Sequence, residues 1–255
     1  MNPLKTIGGT IISGIVLAVV IVLVTMGDHM KAGIPAQSVI IWLHVLAGIT
    51  WIGLLYYFNF VQVPALGEAA GDEDGPGPAA ISKYVAPRAL LWFRWGALVT
   101  WLTGAAFLLH KGQLHNAFML GLNADPVNQY AMTIGVGAWL GTIMLFNVWV
   151  LIWPNQKKIL GLDGKEHSAE AIAKAKIVAL MASRTNTLLS IPMLLGMTAH
   201  MHGGGDDEVC DELERGIRTG VQIGIQTIHV HIRIHVTADQ HEDRAQGKKQ
   251  RSHER

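Results

Sequence analysis

The sequence has few charged residues and almost no cysteine. Of its 255 residues, 15% are charged and one, Cys210, is a cysteine. A single cysteine excludes an intramolecular disulfide framework and leaves the redox compartment undetermined. The basic and acidic residues number 20 and 19, so no bulk basic surface favours a nucleic-acid partner, and none is expected. A soluble globular domain is disfavoured too, because half of the residues are hydrophobic and the mean hydropathy is positive.

The sequence contains several long apolar runs with few charged residues. Each approaches or exceeds the roughly 20 residues that a helix needs to cross the hydrocarbon core of a membrane. The first run lacks a small-x-small cleavage site before Gly27, so we expect an uncleaved span instead of a signal peptide. We predict an all-α integral membrane helical bundle of about five transmembrane helices, in contact with membrane lipid, over residues 1–202. The predicted spans are 8–26, 38–66, 90–109, 131–153 and 177–200.

Basic residues in the short loops predict the orientation of the bundle, because lysine and arginine accumulate on the cytoplasmic side. Lys5, Lys83 and Arg88 share one side with the lysines between the fourth and fifth spans, whereas only Lys31 and Lys111 lie on the other. The N-terminus is therefore predicted to be cytoplasmic. Ser168 is a candidate N-cap for a helix that leads without a breaker into the fifth span.

The character of the chain changes after His202. Residues 203–255 begin with three glycines and continue with acidic, alternating and basic stretches, which predicts an aberrant or disordered, irregular soluble tail. The alternation IHVHIRIHV at 228–236 could be a strand, but an isolated strand is marginally stable. Its histidines could bind metal, although no surrounding fold would orient them. They are His229, His231 and His235.

The second predicted span carries the densest set of polar residues. They recur at spacings of three and four, which places them on one face of a helix. Facing lipid, this stripe would leave its hydrogen-bonding groups unsatisfied, so we expect it to face the interior of the bundle. The stripe consists of His44, Gly48, Trp51, Leu55, Asn59 and Gln62.

His44 has two interpretations, an interhelical hydrogen bond and an axial ligand of haem b. The predicted orientation places it near the outer ends of the helices, where four further histidines converge. This convergence favours a haem or metal site in which His110 or His200 completes the ligand set, with His44 and His200 as the candidate metal ligands. The other two outer histidines are His115 and His202.

Arg184 and Asn186 lie inside the fifth apolar run. The guanidinium could snorkel to the cytoplasmic face, or it could join neighbouring amides in a clamp for a planar anion. The second interpretation makes Arg184, Asn186, Asn59 and Gln62 candidate substrate-binding residues.

Four segments of the sequence carry long and specific motifs: WLHVLAGITWIGLLYYFNFVQVPAL (42–66), PRALLWFRWGALVTWLTG (87–104), NVWVLIWPNQKKILG (147–161) and ASRTNTLLSIPMLLGMTAH (182–200). Together they resemble the membrane-bound urate hydroxylases, whose transmembrane region is called the urate oxidase N-terminal domain. The resemblance covers about residues 5–202. The start of the second span also resembles two other membrane families, those of copper resistance and protoporphyrinogen oxidase, in which that histidine is tied to haem or metal.

The resemblance implies oxidation of urate to 5-hydroxyisourate in purine catabolism, with electrons passed to cytochrome c, in the bacterial inner membrane. Longer members of the family have further helices and a CxxCH site for haem c, so haem c is expected only on a missing C-terminal domain or on a partner. The tail after Gly203 has no counterpart there, which favours a truncated or frame-shifted reading. Alternatives are a non-catalytic transmembrane haem-b electron carrier, an inactive remnant and a membrane permeability factor.

Overall fold

The computed structural model describes residues 2–26 and 35–202, and in these ranges the chain is helical and contains no strand. The predicted all-α fold is confirmed. The predicted tail, with its histidines, lies outside the described residues. The α-helices are α1 (Ile7–Met26), α2 (Ala36–Tyr57), α3 (Val63–Gly71), α4 (Ala86–His110), α5 (Leu114–Phe118), α6 (Gln129–Phe146), α7 (Trp153–Ile159) and α8 (Ala169–His202).

Four helical stretches of the described chain are long and apolar enough to cross a membrane, by length and composition. They correspond to the first, second, fourth and fifth predicted spans, and they identify a membrane protein. The third predicted span coincides with α4, which is long enough but less apolar, because it contains Arg94 and three tryptophans. Its membrane crossing stays a prediction. The four stretches are Ile7–Thr25, Ala36–Gly71, Gln129–Ile159 and Ala169–Ala199.

Helix α8 begins where the sequence predicts. The Ser168 hydroxyl accepts a hydrogen bond from the backbone N–H of Ala171 at 3.2 Å and caps the first turn. The preceding loop is held by His167, whose Nε2 contacts a carboxylate oxygen of Asp163 at 2.7 Å. This hydrogen bond lowers the pKa of Asp163 below its ordinary value.

The polar stripe of α2 faces the interior of the bundle, as predicted. Trp51 and Leu55 are almost fully buried, and Gln62, just beyond α2, is 7% exposed. Helix α4 packs closely along this stripe, because Gly96 leaves room for the backbone of Trp51. A methyl group at Gly96 would lie 3.3 Å from the Trp51 backbone nitrogen.

Polar side chains join the helices to one another. Tyr56 of α2 contacts Ser190 of α8 at 2.9 Å, and Trp101 of α4 donates to Thr142 of α6 at 2.8 Å. Such contacts satisfy groups that lipid could not and fix the mutual positions of the helices.

In the described part of the chain, three short π-helical segments interrupt the helices, each directly before a proline-containing turn. Proline has no N–H and crowds the carbonyl four residues earlier, so an α-helical bond is lost there. The residue before each proline instead donates to the carbonyl five residues back, which widens the turn. The segments are Phe58–Gln62 before Pro64, Ile81–Val85 before Pro87 and Asn147–Ile152 before Pro154.

Glycines of α6 permit close contacts with two other elements. A methyl group at Gly137 would lie 3.3 Å from the Met193 carbonyl oxygen of α8. One at Gly135 would lie 2.0 Å from the Ala117 carbonyl oxygen of α5, which no real structure tolerates. The backbone of α5 therefore rests directly on α6 at Gly135.

Replacing Gly135 by alanine should destabilise the protein by about 1–3 kcal/mol, because the new methyl group must push α5 away from α6. Thermal denaturation of the purified protein in detergent measures the effect. Gly141→Ala on the same helix is the matched control, because a methyl group there meets nothing within 4 Å. Equal melting temperatures for the two variants would contradict the close contact.

Candidate functional site

A cavity of about 360 Å³ lies at the end of the bundle that is predicted to be cytoplasmic. Its lining residues lie between Phe58 and Ala70, Pro78 and Phe93, Ile152 and Leu160, and Lys176 and Ser183. All three π-helical segments contribute to the wall, and π-helical turns occur frequently at functional sites. The volume falls within the range of about 300–1,000 Å³ that is usual for small-molecule sites.

The wall of the cavity combines aromatic rings with a few polar groups. Phe58 and Phe93 form an edge-to-face pair with ring centroids 5.3 Å apart. Lys176, on an exposed position of α8, is the one charged residue among the lining residues, all of which the structure describes. The polar lining residues are Gln62, Ser82, Gln156 and Ser183.

Two amide oxygens at this end of the bundle are buried without a partner in the described chain. Gln62, whose Oε1 is one of them, is a lining residue of the cavity, and Asn59 Oδ1 lies one turn earlier. Asn59 Nδ2 is satisfied, because it donates to the Leu55 carbonyl at 2.9 Å and to Ser183 Oγ at 2.8 Å. Buried polar atoms are nearly always hydrogen-bonded, so these unpaired oxygens call for an explanation such as a ligand.

His44 lies at the opposite end of α2, roughly 27 Å from Gln62 at the helical rise of about 1.5 Å per residue. Its Nδ1 lies 2.8 Å from the Thr100 carbonyl oxygen and 3.3 Å from Thr103 Oγ1. The carbonyl can only accept, so Nδ1 carries the proton and Nε2 keeps its lone pair. Nε2 makes no hydrogen bond with any described residue.

The His44 ring packs against α4 at Gly104. A methyl group at Gly104 would lie 2.9 Å from His44 Cε1 and 3.2 Å from Nδ1, so a larger residue would displace the ring. A histidine held by a backbone carbonyl through Nδ1, with Nε2 free, has the arrangement that metal-ligating histidines usually show.

The other predicted ligands are not brought to His44 by the described part of the structure. His110 is exposed at the end of α4, and His115 is exposed on α5. The side chains of His200 and His202 are not described. Within residues 2–26 and 35–202, no group of three or more histidine, cysteine or acidic residues could hold a metal ion. The described residues therefore supply one candidate ligand for a haem iron, His44, and the second ligand stays a prediction.

Comparison with known families adds a different kind of evidence. Residues 117–204 match the family model described as urate oxidase N-terminal. The predicted family rests on motifs within about residues 5–202, and the match confirms it over residues 117–204. No curated protein and no solved structure matches the chain.

The matched range contributes part of the lining of the cavity. Gln156, Lys176 and Ser183 lie inside the matched range, whereas Gln62 and Ser82 precede it. Lys176 and Gln156 were not among the predicted site residues, because Lys176 is one of several lysines between the fourth and fifth spans and Gln156 has no distinguishing feature in the sequence. A signal for the cavity itself was the proline beside each of the second, third and fourth spans, because these prolines follow the π-helical turns in its wall.

The structure does not bring together Arg184 and Asn186, which lie in the matched range. Asn186 is fully buried; it accepts from Asn147 Nδ2 at 2.8 Å and donates to the Met144 carbonyl at 3.0 Å. Arg184 is exposed and has no ion pair or hydrogen bond with a described residue. Neither residue lines the cavity. Of the four predicted substrate-binding residues, Gln62 lines the cavity and Asn59 contacts its wall.

Proposed function

We propose that this chain is the membrane domain of a urate-oxidising enzyme of the bacterial inner membrane, which crosses the membrane several times with its N-terminus in the cytoplasm. It would convert urate to 5-hydroxyisourate as a step of purine catabolism and pass the electrons to cytochrome c. The observation that carries this proposal is the family match over residues 117–204.

The proposed reaction is a two-electron oxidation with water as the source of the hydroxyl group. Urate gains a hydroxyl group from water at a ring carbon and releases two protons and two electrons. Cytochrome c accepts one electron at a time, so two molecules are reduced for each urate. The protein must therefore bind urate at one site and conduct the electrons from there to cytochrome c.

His44 is the residue that we propose as an axial ligand of haem b, through Nε2. Haem supplies one-electron transfer when it is bound. The residues of this chain do the orienting: the Thr100 carbonyl fixes the tautomer of His44, and Gly104 leaves space for the ring. His110 and His200 remain the candidates for a second residue that would hold the haem.

Loss of urate from membranes that contain the chain tests the function. Membranes with the protein should consume urate when oxidised cytochrome c is added, and membranes without it should not. A longer version that carries a family-like C-terminal cytochrome should not need the addition. If urate is not lost but quinol reduces the haem, the proposed urate-oxidising activity is wrong, and the result favours a non-catalytic haem-b electron carrier.

A further inference from the structure

We propose that the cavity between the three π-helical segments binds urate, with Lys176 as the partner of its negative charge and with Gln62 and Gln156 as hydrogen-bonding partners of its ring edge. This assignment rests on the proposed function for the identity of the ligand. The chemical class follows from the cavity itself: a planar, anionic heterocycle whose edge carries N–H and C=O groups.

The charge of the cavity favours an anion. Lys176 contributes a positive charge, and none of the lining residues, all of them described, is acidic. Lys176 forms no ion pair with any described residue, so its ammonium group is available. Urate is a monoanion near neutral pH, and a charge-assisted hydrogen bond is stronger than a neutral one.

The unpaired amide of Gln62 favours a ligand that donates hydrogen bonds. Gln62 is 7% exposed, and its Oε1 is buried with no partner in the described chain. An amide oxygen accepts, so the matching ligand group is an N–H. A purine ring edge carries N–H donors beside carbonyl acceptors, and the amide of Gln156 adds both a donor and an acceptor to the same cavity.

The remaining wall suits a flat ring. Phe58 and Phe93 line the cavity as an edge-to-face aromatic pair, and Phe93 is 1% exposed, so its position is fixed by packing. Small residues such as Gly67 and Ala86 line the cavity as well and leave width for a bicyclic ligand. Because the π-helical segments form this wall, the prolines that follow them help to set its shape.

Isothermal titration of the purified chain in detergent with urate tests the site. Lys176→Ala should weaken urate binding about tenfold, through loss of a charge-assisted hydrogen bond. Gln62→Leu should weaken it severalfold. The matched control is Lys174→Ala, which removes the same charge two residues away at an exposed position outside the cavity. Its affinity should equal that of the unmodified protein.

Hypoxanthine, a neutral purine, separates charge recognition from shape recognition. It should bind more weakly than urate, and Lys176→Ala should not change its affinity. Equal urate affinities for Lys176→Ala and Lys174→Ala would overturn the proposal, as would the absence of urate binding to the folded protein. Thermal melting of each variant shows whether it is folded.

The site and the function fail in different ways. If urate binding depends on Lys176 but urate is not oxidised, the cavity assignment is supported and the proposed enzymatic activity is wrong. If membranes oxidise urate and Lys176→Ala and Gln62→Leu leave KM unchanged, the function stands and the cavity assignment is wrong.

Discussion

Purified protein with His44 replaced by alanine is expected to lose the Soret absorption band of haem b after supplementation with haem. The reason is that His44 Nε2 is free while Nδ1 is held by the Thr100 carbonyl oxygen at 2.8 Å. His44 would hold the haem iron in the proposed function, so its replacement would remove that ligand. An absorption spectrum of the purified variant, normalised to protein, measures the effect.

A surface histidine provides the control for this experiment. His167→Ala removes an imidazole from the loop before α8, where it contacts Asp163, and should leave the Soret band unchanged. The His44→Ala protein must also retain its helical circular dichroism, because His44 joins α2 to α4. A folded His44→Ala variant with the full band would show that His44 is not the ligand.

Replacing Asn186 by leucine should destabilise the bundle by about 1–3 kcal/mol. Asn186 is fully buried, and its removal leaves the amide of Asn147, which is 7% exposed, without its partner. The larger part of the cost is the unpaired buried amide and not the lost bond itself. Thermal melting in detergent measures the change.

The double variant Asn147→Leu with Asn186→Leu distinguishes these two contributions. Because it removes both partners, no amide of the pair is left unpaired, and the double variant should be more stable than Asn186→Leu alone. Strictly additive losses from the two single variants would contradict this explanation. Thr198→Val, at an exposed position of the same helix, should have little effect.

The stripe on α2 could be predicted from sequence because its spacing has a geometric meaning. Polar residues three and four apart share one face of a helix, and buried Trp51, Leu55 and Gln62 confirm that this face points inward. The start of α8 at Ser168 was predictable for a similar local reason, since a cap depends on the residues beside it.

Arg184 and Asn186 were predicted to form an anion clamp. They are two residues apart on a helix, so their side chains are separated by about 200° of rotation about its axis. One side chain is therefore exposed while the other is buried. The cavity could not be predicted either, since it depends on four separate stretches meeting and on three π-helical turns. The recurrence of proline beside the second, third and fourth spans was the one sequence feature that indicated the cavity.

Electron counting in a single reaction mixture tests the central claim most directly. Purified protein, urate and oxidised cytochrome c should yield two reduced cytochrome c molecules for each urate consumed, without hydrogen peroxide. Lys176→Ala should raise the urate concentration needed for half-maximal rate, and Lys174→Ala should not. Urate loss that produces hydrogen peroxide and leaves cytochrome c oxidised would contradict the account, and so would no urate loss at all.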